Sequence, residues 1–69
     1  MHVTILFPRI PIEKRHEIED TLEEAGFRVD GGGTDLRTGF QDITLRVPAS
    51  KLRKVRLIIK RFGYGFEIQ

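Results

Sequence analysis

A two-residue alternation runs through FQDITLRV, residues Phe40–Val47. Ile43, Leu45 and Val47 fall on one side of an extended chain; Asp42, Thr44 and Arg46 fall on the other. That period marks a strand buried on one face and wet on the other. The chain must therefore build a sheet and cover one side of it.

The flanking segments supply the cover. HVTILF (His2–Phe7) is β-branched and apolar, and it stops at Pro8, so it reads as a strand. PRIP is a loop, and Pro11 suits a helix start because its missing N–H would be unpaired there. PIEKRHEIEDTLEEAG then spaces Ile18, Leu22 and Ala25 at helical intervals, with Gly26 as the cap. FRVD (27–30) opens a second strand that must cross Gly31–Gly33. DLRTG is a hairpin loop with Gly39 suited to a left-handed position. After Pro48, ASKLRKVRLIIKRFG sets Leu52, Val55, Ile58, Ile59 and Phe62 on one helical stripe and closes at Gly63. YGFEIQ (64–69) reads as a short last strand.

The order β-α-β-β-α-β predicts a single ferredoxin-like α+β domain over residues 1–69. Two helices cover one face of a four-stranded antiparallel sheet of order 4-1-3-2, with strands one and three central. The expected core is Val3, Ile5, Phe7, Ile18, Leu22, Ala25, Phe27, Val29, Ile43, Leu45, Val47, Leu52, Val55, Ile59, Phe62, Phe66 and Ile68. A chain of 69 residues buries only about 60% of its unfolded surface, so this core is thin.

Several function classes lack residues. There is no cysteine, and His2 and His16 are isolated from each other, so neither a metal site nor a cofactor is expected. His16 lies among Glu13, Glu17, Asp20 and Glu24 on the outward side of the first helix, with no nucleophile or pocket to serve. No catalytic residue stands out, and the chain is expected to be no enzyme. Val3–Phe7 is too short for a signal core or a membrane span, so a soluble, cytoplasmic protein without a membrane partner is expected. A small-ligand sensor of ACT-like build around Arg9 and the glycines is a further alternative, although FPRIP lacks the glycine that such effector sites use. The glycines do not run into a helix N-terminus, and Asp30 and Asp35 would repel a phosphate. Gly31 and Gly33 continue the inward register of Phe27 and Val29, which leaves Gly32 on the open face of an edge strand.

Charge is more informative. Residues 1–48 hold six Lys/Arg and nine Asp/Glu, a balance of −3; residues 49–69 hold six Lys/Arg and one acid, a balance of +5. The first helix has six acids against Lys14 and Arg15, and the second has six cations and no acid. On a wheel, Arg53, Lys54, Lys60 and Arg61 surround Leu57, which points away from the core stripe. Lys51, Arg53 and Lys54 crowd a helix N-terminus, while Glu23 and Glu24 crowd a C-terminus. Both placements oppose the helix macrodipole, by roughly 0.3–1 kcal/mol each where screening is poor.

Two explanations compete. In one, the helices pair internally across their seam; in the other, Arg53, Lys54, Leu57, Lys60 and Arg61 bind a partner. An acidic protein is the first choice of partner, since phosphate has no use for an exposed leucine; nucleic acid is the second. A homodimer through the edge strand 64–69 is another interface to expect. The open sheet face, with Thr4, Phe40, Asp42, Thr44 and Arg46, is a secondary surface on which Asp42 and Arg46 are expected as near neighbours.

At GGGTDLRTGFQDITLRV the chain resembles small bacterial and phage ferredoxin-like proteins of immunity-protein or inhibitor type, with a GGGT second strand and a DI pattern opening the third. The shared residues are Gly31–Thr34 and Asp42–Ile43. That resemblance implies a binder that works by occlusion. Many such inhibitors are acidic, and the basic second helix departs from them.

Overall fold

Residues Gln41–Arg46 (β3) pair antiparallel with His2–Phe7 (β1), from His2 opposite Arg46 to Phe7 opposite Gln41. The computed structural model describes all 69 residues. The other elements are α1 (Ile12–Glu24), β2 (Arg28–Thr34), a single 3-10 turn (Ala49–Lys51), α2 (Leu52–Lys60) and β4 (Glu67–Ile68). The sheet order is β2-β3-β1-β4, which is the expected order read from the opposite edge.

Both helices cover one face. Ile18 and Leu22 from α1, and Val55, Ile58 and Ile59 from α2, join Val3, Ile5, Phe7, Ile43, Leu45 and Val47 in one buried cluster. Burying such a side chain contributes roughly 1.5–3 kcal/mol. Ala25, Val29, Leu52, Phe62, Tyr64, Phe66 and Ile68 pack against the cluster half-buried.

Local chemistry sets the element ends. Pro11 is extended (φ −60°, ψ 145°), and its carbonyl accepts from the amides of Lys14 and Arg15 at 3.0 and 3.1 Å. Gly26 takes φ 95° at the end of α1. There the Gly26 amide donates to the Glu23 carbonyl at 2.9 Å and the Phe27 amide to the Leu22 carbonyl at 3.0 Å. This is a Schellman closure, with buried Leu22 and Phe27 as its apolar pair. In the β2–β3 hairpin Gly39 takes φ 78°. Its amide donates to the Asp35 carbonyl at 2.7 Å.

The structure corrects the sequence-based expectation at four places. First, the β2 register shifts between Val29, opposite Leu45, and Gly31, opposite Thr44, so Asp30 is an extra, bulged residue. A bulge inverts the parity of every later residue in its strand. Gly32 therefore lies opposite buried Ile43 on the helix side, while Gly31 and Gly33 lie on the open face opposite Thr44 and Asp42. Second, the last ladder covers Glu67–Ile68 rather than 64–69, extended only by a reciprocal pair of backbone hydrogen bonds between Thr4 and Gln69, 2.8 and 3.2 Å long. Third, Ile10 is buried; the loop reverses at Arg9, at a left-handed φ of 49°, and Ile10 drops into the core. Fourth, Gln41, which is not in the expected core, is buried to 3% exposure.

Gln41 anchors a polar network under the first half of α1. Its Oε1 accepts from Arg15 Nε at 2.8 Å and from Thr34 Oγ1 at 2.9 Å, and Arg15 also bridges Glu19 at 3.0 Å. The Arg15 and Glu19 side chains are only 11% and 16% exposed. Gly32 leaves the room they occupy, since a Cβ there would strike both side chains and come within 3.0 Å of the Asp42 carbonyl.

Candidate interaction surface

The outward face of α2 is built by the same period that buries its other side. Leu52, Val55, Ile59 and Phe62 turn inward, so Leu57 must turn out, and it is 53% exposed. Arg53, Lys54, Lys60 and Arg61, three or four residues away on either side, are all exposed and flank it. Lys51 and Arg56 are exposed as well. No side chain caps the helix N-terminus, and its first turn carries no acid.

None of these cations has an internal partner. The ion pairs of the chain are His2–Asp30, Lys14–Glu17, Arg15–Glu19, Arg28–Asp30 and Arg46–Asp30. Not one involves residues 51–61, so the seam between the helices holds no salt bridge. On α1, Glu17 takes up Lys14 at 2.8 Å. That hydrogen bond, with the charge of Glu17, raises the Lys14 pKa above its ordinary value. Glu13, Asp20, Glu23 and Glu24 are exposed and make no ion pair.

The open sheet face is arranged in two ends. At one end His2, Arg46 and Arg28 align across β1, β3 and β2. Asp30, at the bulge, lies 3.1 Å from Arg28 Nε and 3.8 Å from Arg46 Nε. His2 Nε2 stands 3.0 Å from the Asp30 carboxylate and 3.2 Å from Arg46 Nε. Protonated, it donates to Asp30; neutral at that nitrogen, it accepts from Arg46. Arg46 is thus held by Asp30, and the expected Asp42–Arg46 neighbourhood is replaced by this cluster. In the middle Thr4 and Thr44 approach at 3.4 Å between hydroxyls. At the other end Leu6, Pro8, Phe40, Gly65, Phe66 and Glu67 line a recess of about 290 Å³.

The structure therefore brings Arg53, Lys54, Leu57, Lys60 and Arg61 together on one exposed face, and it spreads Thr4, Phe40, Asp42, Thr44 and Arg46 along the open sheet. Arg9 reaches only the hairpin, through Nε to the Thr38 carbonyl at 3.4 Å, away from the glycines of β2. Sequence reasoning missed the Asp30 cluster: the alternation of FRVD already puts Arg28 and Asp30 on the open side, but the cross-strand register that sets them beside Arg46 and His2 comes only with the folded sheet. No protein-family model and no curated protein matches the chain.

Proposed function

We propose that this chain is a non-enzymatic, cytoplasmic binding module that docks an acidic protein surface on the outward face of α2, in the manner of an inhibitor or regulator. The observation that carries this reading is the absence of any internal partner for the six cations of Lys51–Arg61, with exposed Leu57 at their centre. Surface cations on the solvated side of a domain are commonly interleaved with acids; here they are segregated around an apolar contact. Leucine ringed by charge suits a protein surface, where an apolar centre and a polar rim share one interface.

The neighbouring helix argues against a stiff nucleic-acid duplex, which is wide enough to lie over both helices, whereas a flexible acidic peptide can follow α2 alone. Packed helices lie about 8–10 Å apart, close to the Debye length of about 8 Å at physiological salt. A nucleic-acid backbone on α2 would feel the exposed acids of α1, whereas a protein can place its own charges to suit both. The β4 edge is a weaker docking site than expected, since its ladder is only two residues long.

A titration separates these cases. Poly-glutamate, duplex DNA and single-stranded DNA are added to isotope-labelled protein at low and moderate salt, and amide shifts are followed by NMR. The expected result is that poly-glutamate perturbs residues 51–61, that Arg61→Glu or Leu57→Asp weakens this at least about tenfold, and that the amide dispersion of the folded domain survives. Tight duplex binding with a steep salt dependence would give the surface to nucleic acid. Perturbation of β4 alone, or no effect of either substitution, would show that α2 is the wrong surface.

A further inference from the structure

We propose that the acidic surface recognised by α2 is the α1 face of a second copy of this chain, in a two-fold dimer that stacks helix layer on helix layer; this rests on the reading of α2 as a docking face. The charge pattern leads there. Glu13, Glu17, Asp20, Glu23 and Glu24 are exposed on α1, and Arg53, Lys54, Arg56, Lys60 and Arg61 are exposed at α2. Taken with its two cations, α1 carries −4, and residues 51–61 carry +6; the remaining four arginines and four acids cancel, so the net +2 belongs to the helix layer alone. A partner for this layer needs an acidic strip and a basic strip side by side, one helix spacing apart and in the reverse order. A second copy turned about an axis running along the seam, parallel to both helices, presents that pattern.

The symmetry also fixes which ends meet. The topology makes α1 and α2 antiparallel, so the C-terminus of α1 and the N-terminus of α2 lie at one end of the layer. An axis along the helices leaves that end in place. Arg53 and Lys54 of each copy then face Glu23 and Glu24 of the other. These four residues oppose their own helix dipoles. Across the interface, the cations that offend the N-terminus of α2 meet the acids that offend the C-terminus of α1. Leu57, midway along α2, lies over the middle of the second copy's α1. Both acid–base contacts form at once, and the assembly closes as an isologous dimer instead of growing into a filament.

The interface is small. A helix of 13 residues is about 20 Å long at 1.5 Å per residue. With a second helix beside it about 10 Å away, the layer offers a footprint of roughly 400 Å² per copy. That is below the area of a standard stable complex, so the dimer is weak and depends on salt.

Charge exchange tests it with variants that are expected to fold well. Arg53→Glu with Lys54→Glu makes an acidic α2, and Glu23→Lys with Glu24→Lys makes a basic C-terminus on α1. Each pair removes a dipole mismatch. Sedimentation equilibrium at micromolar to millimolar protein is read at about 0.01 M and about 1 M salt, where the Debye length falls from about 30 to about 3 Å. The wild-type chain is expected to dimerise at low salt and to dissociate at high salt. Each charge-reversed variant alone is expected to be monomeric, and an equimolar mixture of the two to recover a heterodimer. A wild-type chain that stays monomeric under all conditions, or a mixture that fails to recover the dimer, overturns the proposal. If poly-glutamate still perturbs residues 51–61 of that monomer, only the second copy is ruled out and α2 remains a docking face. If it does not, both readings fall together.

Discussion

Gly32→Val is expected to destabilise the domain by about 1–3 kcal/mol, the range for overpacking a filled site, whereas Gly31→Val is expected to be neutral or slightly stabilising. The two glycines are adjacent in sequence and opposite in side. A Cβ at Gly32 meets Arg15 and Glu19 and crowds the Asp42 carbonyl. The long side chains can swing, but swinging breaks the Arg15–Glu19 pair and the Arg15 bond to buried Gln41. The Asp42 carbonyl belongs to β3 and cannot move without disturbing the central ladder. A Cβ at Gly31 meets nothing within 4 Å. Valine there restricts the unfolded chain and suits a strand, worth up to about 1 kcal/mol in favour of the fold. Urea denaturation of both variants reads the difference directly. Equal losses, or a larger loss at Gly31, would show that the Asp30 bulge is misplaced.

Phe7→Ala is expected to cost about 3–5 kcal/mol, the range for emptying a buried aromatic position. Phe7 is fully buried. Its ring packs against Phe66 with centroids 6.2 Å apart, and Phe66 leads into β4. Global stability for a chain this short is roughly 3–10 kcal/mol at 0.05–0.15 kcal/mol per residue. The variant should therefore lose most of its cooperative transition and release the β4 edge first. Hydrogen exchange at the Thr4, Leu6 and Gln69 amides, which face the β1–β4 seam, would report that release, and a variant with wild-type protection at these sites would contradict the role given to the ring. Phe66→Leu keeps an apolar contact and should retain much of the stability.

The architecture was legible because its signals were redundant. Alternation over Phe40–Val47, the β-branched run His2–Phe7, and two helical stripes closed by Gly26 and Gly63 all agree on one layout. What stayed hidden was whatever depends on parity or on distant partners. A bulge at Asp30 changes no residue type, yet it exchanges the faces of every position after it in β2. Gln41 looks like a polar strand end, and only the arrival of Arg15 from a helix and Thr34 from the next strand makes its burial affordable. Ile10 sits between two prolines with a loop signature, and its burial follows from the left-handed turn at Arg9. The α2 face was legible for the opposite reason: a wheel assigns Leu57 and its cations to the outside without long-range information. Whether the acids of α1 reach those cations could not be settled by a wheel, and in the folded chain they do not.

The sheet order has a consequence for synthesis. β1, the first of the seven elements to be made, lies at the centre of the sheet, and its outer neighbour β4 is the last. Pairing with β3 requires residue 46, and the Thr4–Gln69 bonds require residue 69, 65 positions after Thr4. At roughly 5–20 residues per second of elongation, that second side of β1 stays open for about 3–13 s. During this time the nascent strand VTILF shows an unpaired backbone edge to whatever surrounds it. The chain is thus expected to depend on chaperone cover before its last residues emerge, and shortening the C-terminal end should lower its soluble yield more than its length suggests.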